Sequence, residues 1–410
     1  MTLLEKQKEY ARLIVETGLN IQKGQPMVVS CPVEAAPFAR LCAAAAYERG
    51  CSEVVMRWRD DAITRETYLH GADEIFDEFP GWQKDYFDYY DRKHAVYLSI
   101  HSEDPENLTG VDPDRIQRAG KVSGDATREH SARLMRDDFS WCVAGVPCAA
   151  WAKKVFPGKS EEDAVSALWD AILSTVYVTG EKPAEQAWEE HTATLSQTAE
   201  KLNRYQFETL HYENSLGTDL YVGLCKDHRW DGGAENNKDG IRFVANMPTE
   251  EVFTAPKRDA VNGVVCASKP LCYNGTLIQG IRFTLKDGKI IHADADRGLE
   301  VLKNAIAVDE GASYFGEAAL VPYDSPISNL NLLFYNTLYD ENAACHFAFG
   351  AAYSCLQHAD EMTEEELRAA GINESATHVD FMVGTADLAV TGILPDGTEV
   401  PVMRNGNFVL

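Results

Sequence analysis

The chain lacks any apolar run approaching the ~18 residues that a membrane span requires. Its first twenty residues, MTLLEKQKEYARLIVETGLN, mix acids with apolar residues at helical spacing, which is not the pattern of a secretory signal peptide. None of the ten cysteines forms a C-x-x-C pair, and most lie in apolar runs such as Val264-Val265-Cys266-Ala267. They read as buried free thiols of a reducing, cytoplasmic compartment. Basic residues are scarce: 38 Lys and Arg stand against 64 Asp and Glu, a formal charge of −26. Nucleic-acid binding is thereby excluded, because phosphate contacts need a basic surface. An acidic field serves solubility and also favours cationic ligands, including a free α-ammonium group. There is no G-x-G-x-x-G after the first strand, no P-loop and no G-x-S-x-G, which removes the usual dinucleotide, nucleotide and serine-hydrolase signatures. Short-period repeats and low-complexity tracts are absent as well.

What remains is an ordinary globular balance, 45% apolar and 25% charged over 410 residues, enough for two or three domains. The first ~185 residues alternate short apolar strands with helical stretches. Leu3–Thr17 has helical spacing and ends at Gly18; a strand starts at Pro26, an Ala-rich helix spans Glu34–Glu48, and a second strand starts at Glu53. Further strands begin near Ala95 and Trp141, with helices near Asp114–Arg136 and Ser160–Thr179. This predicts an α/β domain with a mostly parallel sheet over residues 1–185. The aromatic, acidic stretch GWQKDYFDYYDR at 81–92 suits the core-facing edge of a helix, or else a substrate or partner patch. Past Lys182-Pro183 a polar helix, Pro183–Leu202, leads into β-rich runs broken by Asn274-Gly275, Asp287-Gly288, Asp396-Gly397 and Asn405-Gly406. Asn-Gly and Asp-Gly are hairpin signals, so residues 186–410 are expected to form an α+β domain with mainly antiparallel strands.

Four segments of that second half could carry chemistry. In Thr377-His378-Val379-Asp380 a strand would project His378 and Asp380 from one face, one pleat apart. Imidazole and carboxylate at that spacing make half a site for Zn²⁺, Co²⁺ or Mn²⁺, though the same pair also makes an ordinary surface ion pair. Asp340-Glu341-Asn342-Ala343-Ala344-Cys345-His346 places two acids and a histidine before a buried run; a helix cap with a satisfied core histidine is the alternative. Glu250 and Glu251 sit between Pro248 and Pro256, in a stretch that reads as rigid and non-helical. Glu317 opens an apolar run where a lone carboxylate would need a partner. No spacing shows that these segments meet.

The strings NMPTEEVFTAP, GEAALVP with SPIS, NTLYDENAACHFAFGAAY and THVDFMVGTADL, in this order, resemble the motifs of the thermophilic metallo-aminopeptidase family of aminopeptidases T, S and PepS type. The resemblance extends to YARLIVETGLNIQKGQPMVV and EAAPFARLCAAAAYERGCSEVVMRW, and so covers nearly the whole chain. It implies metal ligands at Glu251, Glu317, Glu341, His346, His378 and Asp380, with Glu317 as bridge and general base and Tyr353 as an active-site hydrogen-bond donor. Glu341 could orient a ligand instead of being one, and Glu250 is the nearest decoy for Glu251. The function implied is a homodimeric aminopeptidase that uses two divalent ions to remove N-terminal residues from peptides. The alternatives are another dinuclear amidohydrolase, such as a dipeptidase or carboxypeptidase, and a metal- or ligand-binding protein without activity.

Overall fold

A reciprocal cap begins the first helix, Leu3–Leu13: Thr2 Oγ1 accepts from the Glu5 N–H, and the Glu5 carboxylate accepts from the Thr2 N–H. In the computed structural model, which describes residues 1–410, strands β1 (Pro26–Pro32), β2 (Glu53–Arg59), β3 (Val96–His101) and β4 (Trp141–Gly145) follow. They lie in the order β2-β1-β3-β4, and every pairing is parallel. Parallel strands are covered on both faces, which is why β1 and β3 are buried at nearly every position while β2, at the edge, is half-buried. The intervening helices include Ala36–Glu48, Pro113–Met135 and Glu161–Thr175, the last capped by Ser160 accepting from the Asp163 N–H. The aromatic stretch forms a helix, Gly81–Asp91, that packs Phe87 and Tyr90 against Val28, Tyr97 and Phe139. Trp82 and Tyr89 of the same helix are exposed.

The chain forms two compact units: Met1–His191 with Ala234–Pro248, and Thr192–Gly233 with Thr249–Leu410. Residues 234–248 lie well past the change of sequence character near 185, yet they belong to the first unit. The reason is register: Asn246–Met247 pairs parallel with β4, Val143 with Asn246 and Ala144 with Met247. A two-residue strand carries no periodicity of its own. No helix of the chain is long and apolar enough to cross a membrane.

The second unit is antiparallel. Its eight-stranded sheet runs in the order 289–294, 282–286, 256–266, 219–224, 209–213, 389–393, 399–404 and 407–408. Three of its tight turns carry left-handed φ at both central residues: Asn274-Gly275, Asp287-Gly288 and Asn405-Gly406. That is the geometry for which these dipeptides are selected. A four-stranded sheet, in the order Val252–Thr254, Phe315–Leu320, His346–Gly350 and His378–Met382, carries Phe315, Phe347, Phe349 and Phe381 in one cluster with Phe283 of the larger sheet.

None of the ten cysteines is in a disulfide and nine are buried, Cys272 being the half-buried exception. Burial pushes the Cys31 and Cys345 thiols up to about 12, and those of Cys148 and Cys225 up to about 11. In the native protein near neutral pH, a thiol reagent is therefore expected to label Cys272 first and the others only as the fold opens. Rapid labelling of several thiols, mapped by mass spectrometry, would contradict this.

Candidate metal centre

Alternation along the four-stranded sheet sorts its side chains onto two faces. Phe347, Phe349, Val379 and Phe381 share the face turned to the core. His346, His378 and Asp380 share the other, with Ala348 paired to Asp380 and Gly350 to His378. These small partners leave space above the face. Glu317 pairs with Ala348 and so joins the same face. Its placement depends on an irregularity at Gly316, which breaks the register between Phe315 and Glu317 and lets Phe315 point to the core. Only glycine fits there, since a Cβ would lie 2.1 Å from the Ala351 carbonyl oxygen. Glu251 immediately precedes Val252, where the edge strand begins.

Two groups of potential ligand atoms result, Glu251–Glu317–His346 and Glu317–His378–Asp380, each within 4.8 Å of one another. Glu317 is common to both. One oxygen lies 3.8 Å from His346 Nε2 and the other 3.1 Å from His378 Nε2. Glu251 Oε2 lies 3.0 Å from His346 Nε2, and Asp380 Oδ1 lies 3.4 Å from His378 Nε2. Each imidazole is oriented by a backbone carbonyl behind it: His346 Nδ1 is 3.1 Å from the Ala344 oxygen, and His378 Nδ1 is 2.7 Å from the Ala351 oxygen. A proton on Nδ1 satisfies those carbonyls and turns the Nε2 lone pair toward the carboxylates, the arrangement that metal-binding histidines adopt.

Charge makes the same point. Glu251, Glu317, Glu341, His346 and Asp380 are buried, none more than 9% exposed, and His378 is half-buried. Even two protonated imidazoles would leave two of the four carboxylates unbalanced, and a buried unpaired charge is costly. Burial, with Asp380 and Glu251 adding to it, pushes the Glu317 carboxyl up, against the opposing pull of His378. Burial followed by Asp380 and Glu251 pushes Glu341 well above its ordinary value. Burial alone would depress both imidazoles, but the surrounding acids hold His346 and His378 well above theirs. Burial raises Asp380, yet His378 and His346 bring it below the usual carboxylate range. The raised Glu317, Glu341, His346 and His378 reflect a site short of positive charge. Glu251 Oε2 is buried without a hydrogen-bond donor although Nε2 of His346 is beside it. With His346 neutral and its proton on Nδ1, the Nε2 and Oε2 lone pairs face each other and a cation between them satisfies both, so the residues fit a divalent metal.

The six side chains named from the sequence thus come together, with different degrees of engagement. Glu341 closes the short helix Thr337–Glu341 and belongs to neither three-residue group, and the charge of Asp380 helps to push its carboxyl up. Its neighbour Asp340 points away, accepting from the N–H groups of Phe334 at 2.7 Å and Asn336 at 3.1 Å. Asp340 therefore organises the loop before the helix. Tyr353 packs its ring against His378, with centroids 5.5 Å apart, and against Phe253 at the same separation. Sequence reasoning passed over the carbonyls of Ala344 and Ala351, which no side-chain pattern reveals. It also passed over Asn342, although that residue stands inside a motif that drew attention.

The whole chain resembles known proteins. A profile of the thermophilic metalloprotease (M29) family matches residues 4–408. The chain belongs to that family. Members similar to it include aminopeptidase AmpS of Bacillus subtilis (strain 168), 43% identical over 405 residues and 98% of each chain. Aminopeptidase T of Thermus aquaticus is 40% identical over 99% of each chain. The solved structure of AmpT from Thermus thermophilus superposes with a TM-score of 0.92 at 38% identity, covering 100% of both chains. A dioxygenase acting on 2,5-dihydroxypyridine, from Pseudomonas putida KT2440, shares the fold at a TM-score of 0.55 and 11% identity, over 100% of this chain and 98% of that one. The fold alone therefore does not select a chemistry, and the M29 assignment rests on sequence as well.

Proposed function

We propose that the chain is a homodimeric aminopeptidase with two divalent ions, Zn²⁺, Co²⁺ or Mn²⁺, acting on peptides with a free N-terminus. The observation that carries the two-ion reading is Glu317 standing in both ligand groups with one oxygen toward each histidine. Four carboxylates with two neutral imidazoles also match the charge of two divalent ions. The dimer rests on the family resemblance. Ions held by these residues would supply Lewis acidity toward a scissile carbonyl and lower the pKa of a water molecule.

The protein's own groups do the rest. Glu251 with His346, and Asp380 with His378, define two positions that Glu317 holds at one spacing. The Tyr353 hydroxyl donates to the oxygen that gains charge in the transition state. The substrate's free amine would bind one of the ions or a nearby acid, as the family resemblance implies for an aminopeptidase. The relatives' names point the same way. For the proton transfer, the family resemblance assigns Glu317. A carboxylate engaged through both oxygens keeps little basicity, however, and this favours a second reading. In it Glu341, outside both groups and with its carboxyl pushed up by burial and by Asp380, takes the proton from water and delivers it to the leaving amine.

Metal analysis combined with assays on amino-acid amides and their N-acetyl forms tests the proposal. Exhaustive chelation is expected to abolish hydrolysis and one of the three ions to restore it, on free-amine substrates only. Full turnover after verified metal removal, or equal cleavage of the acetylated series, would overturn it.

A further inference from the structure

Glu251 and Glu341 reach the centre from segments that strand pairing does not join. The strand after Glu251 pairs with Phe315–Leu320 and, through one bridge at Phe253, with Asp231, while Glu341 ends a short helix outside the sheet. Something else must set their spacing, and one side chain touches both segments. Asn342 is fully buried, at 0% exposure. Its Oδ1 accepts from the backbone N–H of Glu250 at 2.8 Å, directly before Glu251. Its Nδ2 donates to the Leu338 carbonyl at 2.9 Å and lies 3.4 Å from Glu341 Oε1. The donors and acceptor of one planar amide thus link the backbone of Glu250, the turn carrying Glu341, and the Glu341 carboxylate itself. The Glu250 residue is also buried, and removing this amide would delete the bond that ties its N–H to the turn carrying Glu341.

We propose that Asn342 is a positioning residue that holds Glu251 and Glu341 in register, so that the Glu251–Glu317–His346 group binds its ion tightly. This rests on the metal-centre reading above. Asn342 touches neither substrate nor metal; it acts through the two glutamates. Its consequence falls first on Glu251, because Glu317, His378 and Asp380 stand on strands paired independently of Asn342.

The test is Co²⁺ titration of metal-free wild type, Asn342→Ala and Asn342→Leu, followed by visible absorption and chelator competition, with thermal midpoints measured alongside. Wild type is expected to take up two ions; uptake of none would overturn the metal-centre reading itself. In Asn342→Ala one affinity is expected to fall ~10–100-fold, the range for losing a group that orients a ligand, while the other stays within about threefold. Excess Co²⁺ should then restore kcat. Asn342→Leu keeps the branched heavy-atom outline, with a larger volume, while removing the same bonds, and carries the same expectation if the alanine variant does not fold. Wild-type affinity at both positions, or an equal loss at both with a lowered thermal midpoint, would overturn the inference and leave Asn342 a packing residue.

Discussion

Glu317→Gln is expected to lower kcat by ~10²–10⁴-fold, the range associated with losing a general acid or base. The substitution keeps the size of the side chain and removes its charge. Whichever way the amide turns, an NH₂ group replaces one of the two oxygens that face His346 and His378 at 3.8 and 3.1 Å. One ion should therefore be held more weakly, and kinetics must be read at saturating metal beside a measurement of metal content. Glu341→Gln separates the two readings of the proton transfer. If Glu341 moves the proton, that variant loses kcat by a similar factor with both ions in place. If it only orients Asp380, the loss is small at saturating metal. A Glu317→Gln protein that retains both ions and hydrolyses amino-acid amides at the wild-type rate would remove Glu317 from both bridge and base roles.

Tyr353→Phe is expected to retain the metals and lower kcat by ~10²–10³-fold, the usual effect of deleting one donor to a developing oxyanion. The phenylalanine ring preserves the packing against His378 and Phe253, so thermal stability should change little. The measurement is kcat on an amino-acid amide together with the thermal midpoint. Wild-type kcat with a lowered midpoint would assign Tyr353 to packing.

Much of this architecture is local in origin, and the sequence by itself determined that part. Period-two alternation places His378 and Asp380 on one face wherever the strand lies. Asn-Gly and Asp-Gly impose their turns at 274, 287 and 405 because few other residues accept two successive left-handed φ values. Buried parallel strands need unbroken apolar runs, so the alternating pattern before residue 180 announces its own sheet. The tertiary structure decided the rest, because the deciding contacts join residues far apart in the chain. Glu317 reaches the His346 face only through the irregularity at Gly316, whose missing Cβ makes room for the Ala351 carbonyl. Asp340 and Glu341 are adjacent acids, and only the backbone N–H groups of Phe334 and Asn336 show which one turns away from the centre. The strand Asn246–Met247 exists only because β4 offers it an edge. Asn342 connects to Glu250 across 92 residues, through a hydrogen bond that no spacing in the sequence encodes.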